Sequence, residues 1–478
     1  MFLYESRGEM VSYATLSYCW GNTTALKTTR TNIEEHTRGI SLSKFPETLR
    51  DAIRFARGLG FRYLWIDALC IIQGDASDWS KQARDMTAIY HGCALNIAVA
   101  NAESGDAGMV HKLKDCSIRI STVSDLGFEF EDAADETNTT ADIYAVSTPA
   151  LSNAFQHKTS RLETRGWVFQ ETLVSVASVY VTHKGLEWAC CRAQWTEDSD
   201  LSGFMKHTPK QMWKRDNANW VRSSSNLREN MAILRTLYRW VEGVTERYLS
   251  HSRDRLPSIS GLTSRLAHVT GASYVAGLWK EDLAVGLTWS AIDPGAVTRH
   301  AGRAPSWSWA SVDVSVGFIW GFRTGTYSPL SYHAYIVEGL ALEVLDVRID
   351  EVHPGSFGEV RGGRIVARGT MWPVTISNVG INGPFEHMYF SPDEARDRGD
   401  GFACWILYLT NYSRRTGDYF RHIQFLVVEE SVVGVGEFCH IGIAGFALGS
   451  LDGVVDLREK ESQKMLDTTG ERRILELV

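Results

Sequence analysis

Along its first hundred residues the chain switches between two periods. Tyr13–Tyr18 (YATLSY) is a short strand-like run, and Thr23–Lys44 is polar and reads as loop. Pro46 fits the first turn of a helix, where no backbone donor is lost. Leu49, Ile53, Ala56 and Leu59 then recur at helical spacing, and Gly60 is a stop. Phe61–Asp67 (FRYLWID) has the apolar pattern of a buried strand. Asp78 is placed to cap a helix carrying Trp79, Met86, Ile89 and Tyr90 on one side. Leu95–Ala100 (LNIAVA) predicts a third strand. This β–α–β–α–β order predicts a parallel sheet, because parallel strands need crossover connections.

The pattern then loosens. Asp115–Ala150 is acidic and Thr-rich, an expected insertion of irregular or edge-strand structure. Ser178–Thr182 and Leu186–Cys190 flank His183-Lys184-Gly185, which predicts a hairpin. Ser223–Ser250 is the strongest long helix, with Met231, Leu234, Leu237, Tyr238, Val241 and Val244 on one face. From about Tyr335 onward, Val/Ile runs broken by Gly predict a β-rich region. The expected organisation is an α/β domain over residues 1–200 with its insertion at about 115–150. A helical extension over 201–330 packs on it, and a β-rich domain covers 331–478.

Composition narrows the function. Hydrophobic residues make up 44% and charged residues 22% of 478, which suits a chain with a sizeable core. The net charge of −8 and pI near 6.0 argue against nucleic acid as a partner. No apolar run approaches the length of a membrane span, and no basic-then-apolar leader opens the sequence. The eight cysteines include no CxxC pair, so reduced thiols in the cytoplasm are expected rather than a disulfide framework. No Walker A, GxGxxG, HExxH or GxSxG pattern occurs, which lowers the odds for P-loop, dinucleotide, zincin and hydrolase chemistry.

Three blocks carry a family resemblance. They are YATLSYCWG (Tyr13–Gly21), YLWIDALCIIQGDASDW (Tyr63–Trp79) leading into MTAIYHGC (Met86–Cys93), and TRGWVFQETLVS (Thr164–Ser175) with LEWACC (Leu186–Cys191). In order and spacing they resemble the motifs of the fungal HET (heterokaryon incompatibility) domain. RLPSISGL (Arg255–Leu262), YVAGLW (Tyr274–Trp279) and APSWSWASV (Ala304–Val312) resemble the extension of long members. The resemblance implies non-self recognition, in which incompatible fusion triggers growth arrest and cell death. It also implies a flavodoxin/TIR-like core that assembles with itself or cleaves NAD. Two features depart from the family: the lead-in before the first block is short, and Gln82 stands where members place Glu. That exchange argues against direct NAD cleavage.

In an open parallel sheet, ligands sit beyond the carboxyl ends of the strands. The segments after the three strands therefore define a rim, and Arg165–Glu171 completes it by folding back over it. Asp67, Glu171 and Cys70 are the candidate catalytic residues. Tyr18, Trp20, Gln73, Gln82, Arg165, Trp167 and Gln170 are the candidate ligand-binding residues. Asp67, Cys70, Trp20 and Glu171 are expected around one cavity. Each has a plainer role. Asp67 can cap the next turn, and Glu171 can pair with Arg165. Cys70 can be an inert buried thiol unless a helix N-terminus or cation favours its thiolate. The tryptophans can belong to the core. Neither His91 nor His183 makes a credible base for Cys70. No metal or cofactor is expected. The ligand is a small molecule or nucleotide, with self-association as the other mode of action. The competing reading is a HET-fold enzyme of small-molecule biosynthesis with acid/base residues in the same cleft. A scaffold without chemistry is the third.

Overall fold

A computed structural model describes residues 1–21, 26–109, 117–122, 142–146, 160–190, 194–196, 231, 233–318, 335–377, 380–382, 388–393, 402–414, 421–432, 434, 436–448, 466 and 469–478. The first strands are β1 (Tyr13–Ser17), β2 (Tyr63–Trp65) and β3 (Leu95–Val99). β1 is central: Ala14 faces Leu64 of β2 on one side and Leu95 of β3 on the other, and both pairings are parallel. β4 (Ser117–Thr122) and β5 (Asp142–Val146) form a separate antiparallel pair where the insertion was expected. β6 (Ala177–Thr182) adds to β3 in parallel, then turns back into β7 (Gly185–Cys190) and β8 (Gln194–Thr196). The sheet order is β2-β1-β3-β6-β7-β8. The hairpin turn is His183-Lys184, and Gly185 follows at φ 126, where glycine is favoured.

Several local expectations shift. Within the stretch read as loop lies α1 (Ile33–Arg38), which buries only His36 and so carries no apolar period. α2 (Glu47–Gly58) buries Leu49, Ile53 and Ala56, but Leu59 lies past its end and is 51% exposed. β2 is half-buried rather than buried and shorter than expected. It is an edge strand, and the chain leaves it for the helical turn α3 (Asp67–Cys70). α4 (Ala76–Gly92) is capped by Asp75, whose carboxylate accepts from Ser77 N and Asp78 N. Asp78 instead accepts from Ile72 N at 2.7 Å.

The alternation in β1 decides which helices lie where. Ala14 and Leu16 face the α2 side, in a cluster with Leu49 and Ile53. Thr15 and Ser17 face the other way, where α4 and α5 (Gly166–Val174) pack. The result is three layers, helix on sheet on helices.

The next segment contributes α6 (Thr236–Thr245) and α7 (Pro257–Thr270). α6 covers part of the long helix expected over Ser223–Ser250 but ends at Thr245, short of the expected end, and it buries Leu237, Tyr238, Val241 and Val244. Residues 223–230 of that expectation lie outside the described residues. α7 crosses α4 closely at Gly261, where a Cβ would come within 2.1 Å of Thr87 Oγ1. Thr87 is held by Gln170 Oε1 at 3.1 Å and cannot swing away without losing that bond. Helix propensity favours alanine by about 1 kcal/mol. Overpacking costs roughly 1–3 kcal/mol and should win. Gly261→Ala is expected to lower the thermal midpoint; a rise would mean that the crossing has slack.

The C-terminal region is β-rich, as the Val/Ile runs predict. Its strands are β9 (Tyr335–Leu340), β10 (Glu343–Glu351), β11 (Val360–Ser377), β12 (Phe402–Arg414), β13 (Arg421–Glu430), β14 (Glu437–Leu448) and β15 (Glu471–Leu477). The pairings β11–β12–β13–β14–β15–β11 close a ring. Along β13, Ile423, Phe425 and Val427 cluster with Trp372 and Ile406 inside it. Leu426 and Val428 turn outward into the large core shared with α6, α7 and Trp307 and Trp309. Among the described residues no helix is long and apolar enough to cross a membrane.

Candidate functional site

The three blocks meet at the carboxyl end of β1. Arg165, just before α5, donates to Tyr18 O. Trp20 Nε1 donates to Asp67 Oδ2 at 2.9 Å, while Asp67 Oδ1 accepts from Ala68 N at 2.7 Å. Asp67 thus caps its own turn and also reaches the block from β1. From the helix side, Glu171 Oε2 accepts from Ser17 Oγ. Tyr90 on α4 donates to Leu16 O at 3.2 Å and also hydrogen-bonds the Ser17–Glu171 pair. The charge of Arg165 acts on both carboxyls, which come from segments about a hundred residues apart.

Electrostatics separates the roles. Glu171 is 4% exposed, and burial pushes its carboxyl up to about 7. Arg165 and the Ser17 hydrogen bond oppose that rise, and Asp67 adds to it. Asp67 is half-buried at the rim, and desolvation raises its carboxyl against the pull of Arg165, the Ala68 amide and the Trp20 indole. Tyr18 is 1% exposed and its hydroxyl has no partner among the described residues. Burial and then Asp67 raise its pKa.

The other candidates fall into two groups. Cys70 is at the end of the turn that starts with Asp67, but its setting does not favour a thiolate. Burial, with a smaller contribution from Asp67, raises the thiol to about 11. Among the described residues no cation offsets this rise. Gln73 is tied to backbone, its Nε2 donating to Ile71 O at 3.1 Å. Gln82 Nε2 donates to Asp78 Oδ1 at 3.4 Å. Gln170 is fully buried against Thr87 and the Met86 sulfur. Trp167 donates to Asp254 at 3.0 Å and meets Trp79 edge-on at 6.1 Å. Gln73 and Gln82 thus bond within their own segments, Gln170 ties α5 to α4, and Trp167 ties α5 to Asp254.

Two cavities stand out among the described residues. One of about 590 Å³ lies beside the rim, lined by Leu26, Lys44, Pro46, Glu47, Arg50 and Asp106 among others. One of about 920 Å³ lies in the C-terminal sheet, next to Phe402, Cys404 and Trp405. Asp67, Glu171, Trp20 and Cys70 line neither of these. The reason is that Glu171 lies under β1, on the helix side of the sheet, whereas Asp67 lies at its end. Among the described residues no group of three His, Cys, Asp or Glu is arranged to hold a metal.

Ser17, Tyr90 and Asn96 were not singled out from the sequence. Thr15 and Ser17 both donate to Asn96 Oδ1, at 3.0 and 3.2 Å. Their signal was visible: a central strand with polar residues at alternate positions must place them against buried partners.

No curated protein and no solved structure matches the chain. A family model described as heterokaryon incompatibility protein (HET) matches residues 13–171, the span that contains β1, Asp67, Arg165 and Glu171. This part of the chain is a HET domain.

Proposed function

We propose that the protein acts in the cytoplasm in heterokaryon incompatibility, as an effector of growth arrest and cell death. Its working centre is the Asp67–Arg165–Glu171 cluster at the carboxyl rim of a flavodoxin/TIR-like sheet. One observation supports this reading: Arg165 donates to the Tyr18 carbonyl at the end of β1, and its charge lowers the pKa of carboxyls from two separate blocks of the HET match, one of which is raised by burial to about 7. Sheet order β2-β1-β3-β6 supports it, since doubly wound proteins with order 2-1-3 bind ligands at the β1/β3 carboxyl ends. Glu171 exchanges a proton near pH 7 and is the acid/base group. Asp67 and Trp20 meet the ligand, a small molecule or nucleotide, and Arg165 sets the charge of both carboxyls. Self-association is the other route by which such a domain signals. Neither nucleic acid nor membrane is a partner. The helical and β-rich regions beyond residue 200 are separate domains packed on this one.

Induced expression in a fungal host tests this. The parent is expected to arrest growth, and Asp67→Asn and Glu171→Gln are each expected to relieve the arrest at an unchanged or higher melting temperature. Relief accompanied by a large drop in melting temperature would reduce the cluster to scaffolding. No arrest by the parent would sink the incompatibility reading. The same acid/base pair would then point to an enzyme of small-molecule biosynthesis, to be tested by mass spectrometry for a retained compound.

A further inference from the structure

Outside the HET match, two arginines carry more buried charge than their surroundings balance. Arg255 opens the RLPSISGL block and Arg303 directly precedes APSWSWASV; they are 6% and 8% exposed. Arg255 donates to Val314 O and lies 5.8 Å from the centre of the Trp309 ring. Arg303 donates from Nε to Ala310 O at 2.7 Å and from Nη1 to Ser252 O at 3.3 Å. Asp313 is hydrogen-bonded to Arg303 and to His300, and its charge also acts on Arg255. The frame is rigid: Ser308 Oγ donates to Ala276 O and Trp309 Nε1 to Gly277 O, so all three extension blocks meet here.

Two donors are left over. Arg255 Nε and Arg303 Nη2 are buried and have no partner among the described residues. A buried donor without a partner is costly, and so is a pair of guanidiniums sharing one carboxylate. Burial and then Arg303 push Arg255 down to about 10, which places the two positive charges within each other's field. Asp313 and His300 are the solvent-facing members, their side chains 32% and 37% exposed.

We propose that Arg255 and Arg303 form a binding site for a phosphoryl group, with Asp313 as the internal carboxylate that competes for the same guanidiniums. Near neutral pH a phosphoryl group brings close to two negative charges and three acceptor oxygens. It can balance both arginines and reach donors on each, whereas a carboxylate offers one charge. The group arrives from the Asp313 side and displaces that carboxylate toward His300.

Melting of the full chain in sodium phosphate against sodium chloride at matched ionic strength tests this. Asp313→Ala should melt below the parent in chloride and regain at least about 2 °C in phosphate. The parent should gain less, because Asp313 competes. A larger gain with adenosine monophosphate assigns the site to a phosphomonoester; a gain with phosphate alone assigns it to the free anion. Equal recovery in acetate would overturn the phosphoryl assignment. So would no phosphate-dependent gain in Asp313→Ala, or a gain that survives adding Arg303→Gln. Should Asp313→Ala fail to fold, Asp313→Asn is measured in the same way, with the same outcomes deciding.

Discussion

Arg165→Gln should destabilise the protein by roughly 1–3 kcal/mol at neutral pH, the range for leaving a buried polar group without its partner. Arg165 lowers the pKa of both Asp67 and Glu171, so without it both carboxyls rise further. The Tyr18 carbonyl also loses its donor. The cost should shrink at about pH 5, where the folded chain holds Glu171 in its neutral form and that carboxyl no longer needs the cation. Denaturant melts at about pH 7.5 and pH 5 measure this. An unchanged midpoint at the higher pH would show that the arginine does not organise the cluster. A loss of equal size at both would assign its role to packing instead.

Glu171→Gln should remove a pH dependence of stability. Burial holds the folded carboxyl at about 7, above the ordinary glutamate value of 4.5. The folded state therefore holds the proton more tightly than the unfolded chain does. Stability is full below the unfolded pKa, falls as pH rises through the window from about 4.5 to 7, and then levels off. At about 1.4 kcal/mol per unit of pKa difference the fall is of order 3 kcal/mol. Asp67 and Glu242 are also raised, so the slope of the parent alone does not isolate Glu171. The difference between parent and Glu171→Gln does. Glutamine keeps an acceptor for Ser17 and carries no charge. The variant should match the parent at pH 5 and exceed it at pH 8. Parallel stability curves for the two proteins across this range would show that Glu171 is not held neutral by burial.

Local pattern carried much of the architecture. The spacing of Leu49, Ile53 and Ala56 is a property of neighbours along the chain, and so is the alternation in Tyr13–Tyr18. Helices and strands express such periods directly. From them the three parallel strands, the hairpin at His183-Lys184 and the β-rich end were all legible. The blocks around Trp20, Asp67 and Arg165 also announced that they belong together, since their order along the chain matches their meeting at the end of β1.

Tertiary structure decided what the period cannot contain. Whether Phe61–Asp67 was a buried or an edge strand depended on which neighbours β2 would find, and among the described residues it pairs with β1 alone. The fate of Cys70 depended on its distance from charge, and the charge beside it is Asp67 rather than a cation. Ser17 and Glu171 lie 154 positions apart, and no local rule couples them. Burial, and with it the pKa of Glu171, exists only once α4 and α5 close over Thr15, Ser17 and Asn96. The same holds for Arg255 and Arg303. Each is an ordinary surface-type residue in its own segment. Only the packing of two distant blocks around Trp309 takes both out of water with a single carboxylate between them. Desolvation and Coulomb energy depend on three-dimensional surroundings, so the sequence by itself determined the elements and the folded chain determined their chemistry.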